Sequence, residues 1–515
     1  MPDQATVRRA LQRAELVVVQ EAFATTASCD YADLLLPATT WGEKTGTVTN
    51  SERRISRVRP AVAKPGQTRH DWAIAVDFAR RLEKKLSARS LFPYSLEDEE
   101  AGVEAIWNEH RESTRGRDLD ITGLSYAILE NGPEQWPMLP GQPRGKQRLY
   151  EDGVFPTADG RARFANVAFR PLAEPRESRY PFSLTTGRLR DQWHGASRTG
   201  TLGRLFGHVA EPSIQLHARD MRRLGLAEGD LAYVTSKRGG IVVPVQADSG
   251  LAPSQAFMAM HWGSEFLGGC SSTGEPLAGV NALTTSAFCP SSKQPELKHA
   301  AVKVLKAELP WSMLALAWLP DDEALRVREQ LRPLMNAFPF ASCVPFGRER
   351  SGVLFRAAAH ETPPDAMLGR LEALLGLDGA DALRYQDRKR GQRRAMRLLR
   401  LDGQTRLEAF LLAGDTRAEA WIKAVLQQEM PAQDYGRLLL VPGAKPPKGV
   451  QTRGKQVCTC FNITDLAVAE HLAACAGTDE ARLASLQSSL KCGTNCGSCL
   501  PELTRMVRAP QPHAA

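Results

Sequence analysis

"ADLLLPATTWGEKTGTVTNSERRISRVRPAV", residues 32–62, decides how the first part of the chain is read. The apolar run Leu34 to Leu36 is closed by Pro37, which has no N–H to give a sheet ladder and so ends a strand there. Upstream, "RRALQRA" (8–14) has a helical composition and "ELVVVQ" (15–20) reads as a short buried strand. Downstream, "HDWAIAVDFARRLEKKL" (70–86) sets Trp72, Val76 and Ala79 on one helix face, with Asp71 at its start among the unpaired N–H groups. Strands alternating with helices predict an open α/β layer with a parallel sheet. "EKTGTVTNSERR" (43–54) then falls in a loop beyond a strand's carboxyl end, where open α/β sheets hold ligands. Glu43, Lys44, Asn50, Glu52, Arg53 and Arg54 offer cations for phosphate and an amide for a heterocycle. The same composition also suits a solvated charged loop.

At 515 residues the chain exceeds one hydrophobic core and should divide into about three or four domains. Hydrophobic residues at 43% and charged residues at 24% are ordinary for a globular protein, and the net charge of +8 is mild for this length. No apolar run approaches the roughly 20 residues that span a bilayer, and the N-terminus does not read as a signal peptide. A cytoplasmic location and no membrane partner are expected. Much of the positive charge sits in "RYQDRKRGQRRAMRLLRLDGQTR" (384–406), which holds nine Lys and Arg. It lacks interleaved aromatics, so nucleic acid is not an expected partner. Its alternatives are a solvated basic face and a docking surface for an acidic electron donor.

Composition shifts mark five segments: α/β over 1–110, a Gly-, Pro- and Arg-rich connector over 111–178, short β segments over 179–306, mixed α and β over 307–445, and a last module over 455–505. In the third, "YPFSLTTG" (180–187), "DLAYVTSKRGGIVVPVQA" (230–247) and "SQAFMAM" (254–260) predict a β-barrel, with a hairpin at Gly239-Gly240. "HARDMRRLGLAEGD" (217–230) predicts a short helix ended by Gly229. In the fourth, "RLEAFLLAG" (406–414) predicts a strand and "DTRAEAWIKAVLQQEM" (415–430) a helix capped at Asp415 or Thr416. "VPGAKPPKGVQTRGKQ" (441–456) is a linker.

The last module carries "VCTCFNIT" (457–464) and "LKCGTNCGSC" (490–499). Cys458 and Cys460 are one residue apart, Cys496 and Cys499 two apart, and 35 residues separate the pairs. In a reducing compartment such a cluster binds metal rather than forming disulfides. Four thiolates suit a [2Fe-2S] cluster or a structural Zn²⁺. Cys492 and Cys475 fall outside this pattern and read as packing thiols, Cys475 on a helix face.

"LTTGRLRDQWHGASRTG" (184–200) places Thr186, Gly187 and Arg188 at a strand end, with free N–H groups and a guanidinium fit for phosphate. Trp193 adds a flat wall and His194 a hydrogen-bonding imidazole. "HWGSEFLGGCSSTGEPLAGVNALT" (261–284) and "CPSSKQPELKHAAV" (289–302) contribute Asn281 and Lys298.

The module at 455–505 resembles the bacterioferritin-associated ferredoxin-like [2Fe-2S] domain, which gives Cys458, Cys460, Cys496 and Cys499 as iron ligands. Residues 32–62 and 184–200, with the later stretches, resemble the C-terminal half of molybdopterin oxidoreductases of the dimethyl-sulfoxide-reductase superfamily, and among them the assimilatory nitrate reductases. The resemblance implies a molybdenum bis(molybdopterin guanine dinucleotide) cofactor. Gln20, Glu21, Lys44 and Asp71 would hold one dinucleotide arm. Thr186, Gly187, Arg188, Trp193, His194, Asn281 and Lys298 would contact the pterin and phosphates. Arg190 and Trp262 would border a substrate funnel. The barrel would be of the double-psi type.

The expected architecture is therefore a multidomain α/β plus β chain: a partial α/β molybdopterin domain, the barrel, a small α+β domain and a small helical [2Fe-2S] domain. Residues 384–430 resemble a module that precedes iron–sulfur units in some nitrate and nitrite reductases. The family's [4Fe-4S] cysteine motif and molybdenum ligand have no counterpart here, so the chain reads as the C-terminal part of a larger enzyme, with a separate N-terminal part as a partner. The implied reaction is nitrate to nitrite, with ferredoxin, flavodoxin or an NADH-linked subunit as donor. No side chain stands out as an acid–base catalyst. The alternatives are a non-catalytic electron-transfer subunit and a fragment of a formate dehydrogenase.

Overall fold

A computed structural model describes residues 1–509 except Leu297 and Asp402. The chain forms two compact units, Ala14–Pro171 and Met1–Arg13 together with the chain from Leu172 on. Helix α1 (Gln4–Arg13) thus belongs with the later residues: Asp3 N–H donates to Thr284 O at 3.2 Å and Arg8 to the Ser264 hydroxyl at 3.0 Å.

In the first unit, β1 (Val18–Glu21) and β2 (Leu34–Pro37) pair in parallel. The expected parallel layer is two strands, and it is not buried: Val18, Leu34 and Leu35 are 47%, 48% and 40% exposed. Residues 43–54 do not form a loose loop. Strands β3 (Gly46–Thr49) and β4 (Arg54–Val58) make an antiparallel hairpin whose turn is closed by Asn50 Oδ1, which accepts from Glu52 N and Arg54 N. Helices α2 (Asp71–Leu86), α3 (Glu99–Ser113) and α4 (Tyr126–Glu130) follow, and β5 (Glu134–Gln135) extends the hairpin to three strands. The stretch expected as a connector supplies Ile121, Leu124, Tyr126, Leu129 and Met138 to the core around Ile55 and Trp107. Residues 111–171 are therefore part of this unit.

In the second unit six strands close into a barrel in the order β10-β6-β12-β8-β9-β7. They are β6 (Phe182–Gly187), β7 (Ile214–Leu216), β8 (Leu231–Thr235), β9 (Gly240–Ala247), β10 (Gln255–Ala259) and, after the short β11 (Leu267–Gly268), β12 (Ala300–Lys306). Closure removes every exposed edge and fills the interior with Leu184, Ile214, Ile241, Val243 and Met258, all inaccessible to solvent. Helix α5 (Ala218–Leu224) stops at Gly225 (φ +64°), not at Gly229, because the left-handed backbone there lets Gly225 N–H cap the last turn.

Strands β13 (Trp311–Trp318), β14 (Phe340–Phe346), β15 (Gly352–Ala359), β16 (Leu383–Asp387), β17 (Gln392–Leu401) and β18 (Gln404–Ala413) join β11 in a seven-stranded sheet, ordered β11-β14-β15-β13-β18-β17-β16. Helices α6 (Asp321–Leu331) and α7 (Asp365–Leu374) cover one face. The other face shares a core with the barrel and α8 (Glu419–Gln427), which starts four residues later than Asp415. The chain ends in β19 (Gln456–Cys458), β20 (Ile463–Thr464), α9 (Asp465–Ala473), α10 (Asp479–Leu490) and α11 (Leu500–Arg508) around their own core. Among the described residues no helix is long and apolar enough to cross a membrane.

Candidate functional site

In the first unit the end of β1, the approach to β3 and the first turn of α2 meet. Gln20 Nε2 donates to Asp71 Oδ1 at 2.8 Å and Lys44 Nζ to Asp71 Oδ2 at 2.6 Å. Burial would raise the Asp71 pKa, but the Lys44 and Gln20 hydrogen bonds outweigh it and hold the group below its ordinary value. The side chain is 54% exposed, so a charged carboxylate faces solvent with lone pairs to spare. Glu21 does not join: its carboxylate accepts from Ala22 N and Phe23 N.

In the second unit the segment after β6 is built as a charged, aromatic loop. Gly187 packs so closely on Phe257 that a Cβ would come within 2.6 Å of the ring. The Arg188 and Arg198 guanidiniums both stack on Trp193, at 5.5 and 5.4 Å from its ring centre, and His194 meets the same indole edge-on at 4.5 Å. Trp193 remains 44% exposed, a ring carrying two cations at the surface.

The residue that fixes this loop is His261, which the sequence did not single out. It is inaccessible to solvent; Leu189 N–H donates to its Nε2 at 2.9 Å, and its Nδ1 lies 2.5 Å from His194 O. Since Leu189 N–H can only donate, Nε2 is the bare nitrogen and Nδ1 carries the proton. Burial lowers the His261 pKa; the bond to His194 O works against that, while the charges of Arg188, His194 and Lys298 add to the lowering. The expected Arg188, Trp193 and His194 thus converge with Arg198 and the newly found His261 on one loop. Asn281 lies apart from these contacts, its Oδ1 accepting from the Thr284 hydroxyl at 3.1 Å.

Removing the imidazole leaves Leu189 N and His194 O without partners, so His261→Ala is expected to cost about 2 kcal/mol. The folded pKa lies below the unfolded value of about 6.5, so the unfolded chain takes the extra proton first and stability falls as pH drops through about 6.5. Denaturant titrations between neutral and mildly acidic pH check both, and the variant should lose that part of the slope.

Two expected funnel residues lie elsewhere. Trp262 is 1% exposed and packs on Phe206 and Phe266, so its ring is core and faces no solvent. Arg190 turns to the C-terminal module, where its Nη2 donates to the Thr459 hydroxyl at 3.3 Å and its Nη1 stands 3.5 Å from Glu502. The basic run 384–406 is divided: Arg384, Arg388, Lys389, Arg390 and Arg400 are exposed, while the other four basic residues are held by the fold. Arg394 is 1% exposed and donates to Leu439 O, Arg393 pairs with Glu372, Arg397 donates to Trp318 O and Arg406 pairs with Glu429. A cavity of about 1870 Å³ opens between the barrel, the seven-stranded sheet and residues 453–456, but none of the expected cofactor residues lines it.

The four cysteines gather as one close pair and two core thiols. Cys460 Sγ is 3.3 Å from Cys496 Sγ, while Cys458 and Cys499 are buried in the module's core. All four are free thiols. The Ser498 hydroxyl and N–H hold the Cys496 pKa down, whereas burial, and then Cys458, push Cys499 up to about 12. Gly497 at φ +72° gives the turn that joins the second pair. Among the described residues no three His, Cys, Asp or Glu stand together as one metal-binding group. Cys492 is buried beside Cys458 and Cys499. Cys475 lies in the turn after α9, partly exposed, rather than on a helix face.

Residues 182–301 match the Molydopterin dinucleotide binding domain and residues 1–81 match Molybdopterin oxidoreductase. The nitrate reductase of Klebsiella oxytoca is 31% identical over 519 residues, covering 99% of this chain and 54% of that protein. The nitrate reductase of Synechocystis is 38% identical over 59% of this chain and 41% of its own length. The F420-dependent formate dehydrogenase subunit alpha of Methanocaldococcus jannaschii is 34% identical over the same shares, 59% and 41%. The chain spans about half the length of the curated relatives it matches. The closed barrel thus falls largely within the stretch that matches the dinucleotide-binding model, and over this stretch and residues 1–81 the chain is similar to molybdopterin oxidoreductases.

Proposed function

We propose that this chain holds a molybdopterin guanine dinucleotide and takes in electrons at a [2Fe-2S] group, as part of an enzyme that reduces nitrate to nitrite in nitrate assimilation. What carries the reading is the span of the Klebsiella similarity, which takes in both the barrel and the cysteine tail. The barrel would be of the double-psi type.

The residues suit these groups. Asp71, held charged by Lys44 and Gln20, can accept two N–H groups of a guanine edge on one dinucleotide arm. Arg188 and Lys298 put positive charge around the loop after β6, where phosphates and the pterin would lie. Two sulfurs on one tetrahedral metal sit roughly 3.8 Å apart, given metal–sulfur bonds of about 2.3 Å. One close pair with two further thiols in the core, rather than one group of four, suits two irons bridged by sulfide better than a single zinc. When bound, the pterin's metal would supply the two-electron, oxygen-removing chemistry: nitrate, two electrons and two protons give nitrite and water. The chain's own part is to grip the dinucleotide and hold the thiolates.

Metal analysis of the purified protein tests the reading. About two irons per chain, with acid-labile sulfide, are expected; one zinc and no iron would overturn the electron-entry part. Nitrite formation with a reduced viologen is expected of the complete enzyme. The second reading, formate oxidation, has in its favour the similarity to a formate dehydrogenase subunit. Formate-dependent dye reduction without nitrite formation would establish it instead.

A further inference from the structure

Thr459, the residue between Cys458 and Cys460, is held from three sides by residues outside the cysteine module. Its hydroxyl donates to Asp191 Oδ2 at 2.6 Å and accepts from Arg190 Nη2, and its carbonyl accepts from Arg348 Nη1 at 2.5 Å. Arg348 Nη2 also donates to Cys460 O at 2.9 Å. Arg190 and Asp191 bond to each other at 3.1 Å, so each fixes the other. On the far side of Arg190, Glu502 of α11 accepts from His208 at 3.0 Å and lies 3.4 Å from Lys455. At Gly207, next to His208, any side chain would overlap the Gln456 amide. The barrel segment and the tail thus meet through mutually satisfied charges beside the cavity that Gly207, His208 and Gln456 line.

The position of Arg190 gives the contact a chemical meaning. It lies two residues beyond Arg188, in the segment that leaves β6, and its side chain is only 16% exposed. It interacts electrostatically with the Cys499 thiol as well as with Glu502 and Asp191. A cation beside sulfur ligands stabilises the added negative charge of the reduced state. Hydrogen bonding around the ligands does the same and fixes their orientation.

We propose that Arg190 is a positioning residue that docks the Cys458–Thr459–Cys460 loop onto the segment leaving the first barrel strand and raises the reduction potential of the iron–sulfur group held by that loop. Asp191 orients Arg190 and Thr459, and Arg348 closes the loop from the seven-stranded sheet. The part concerning potential rests on the [2Fe-2S] reading above; the docking part does not.

Two measurements on the full chain keep these parts separate. Amide hydrogen exchange of residues 457–462 reports docking with or without metal. Thr459→Val, which keeps the shape and removes the hydroxyl, and Arg190→Gln are each expected to speed exchange there about tenfold, while α10 stays as in the parent. Unchanged exchange in both variants would overturn the docking role. Redox titration of the iron–sulfur EPR signal reads the potential. Arg190→Gln is expected to shift the midpoint to more negative values and Arg190→Lys to restore most of it. Equal midpoints for all three proteins would overturn the tuning role. A protein without iron that still shows the exchange difference would retain the docking role and remove the [2Fe-2S] reading with its potential.

Discussion

Replacing Arg356 by alanine is expected to lower the unfolding free energy by about 3 kcal/mol, the size seen when one member of a largely buried ion pair is removed. Arg356 projects from β15 and fills both forks of its guanidinium. Nε and Nη2 donate to Glu211 at 2.6 and 3.2 Å, and Nη1 donates to Glu419 at 2.9 Å. Glu211 comes from the loop before β7, and Glu419 opens α8, so one side chain ties the barrel, the sheet and the helix together. The three side chains are 22%, 20% and 32% exposed and line the cavity between the barrel and the sheet, so their partners are mainly one another. Burial would raise the Glu211 pKa, yet Arg356 and Lys423 hold it below its ordinary value. Without Arg356 two carboxylates would face each other with Lys423 alone, 3.9 Å from Glu211. Arg356→Lys keeps the charge but loses the fork, so part of the loss should remain. The depressed carboxylate also sets a sign: its contribution is present above about pH 4.3 and fades on acidification below it. Guanidinium titrations measure the difference. A loss under about 1 kcal/mol, the range of exposed pairs, would mean the network is screened by solvent.

The same charges explain why parts of the fold were hard to read from sequence. Strand β2, barrel strand β6 and helix α5 are short elements bounded by Pro37, Gly187 and Gly225, whose backbone chemistry acts locally. The seven-stranded sheet carries no such signature. Its strand β17, "QRRAMRLLRL", reads as a basic surface because arginine is rarely buried. Arg394 is buried there only because Leu439 O and Asp415 O, distant in sequence, accept its protons. The core of the first unit is similarly scattered, with Trp107 on α3 meeting Leu124 and Met138 in irregular chain. At the candidate site, Gln20, Lys44 and Asp71 were legible as types and do converge. His261 was not, because a lone histidine after a strand gives no spacing to recognise. Arg190 was assigned by its neighbours in sequence, whereas its partners Thr459 and Glu502 lie some hundreds of residues on.

On the proposed [2Fe-2S] reading, serine at Cys460 or Cys496 is expected to abolish iron binding, with the visible absorption of an iron–sulfur group falling to background. These two sulfurs are the pair 3.3 Å apart, so losing either leaves one iron with a single protein thiolate. Serine oxygen is a harder donor and does not replace the lost affinity. Cys458→Ser and Cys499→Ser should do the same, with an added stability cost, because both thiols sit in the core with Val457, Val468 and Leu503. The controls decide what the loss means. Cys475, partly exposed after α9, should be replaceable with full iron content. Cys492 is the sharper control: it is buried beside Cys458 and Cys499 and donates to Leu486 O at 3.6 Å. If Cys492→Ala keeps its iron while the four serine variants lose theirs, the ligand set is Cys458, Cys460, Cys496 and Cys499. If Cys492→Ala alone empties the site, Cys492 replaces one of the four, and the pairing that favours two irons over one zinc no longer holds.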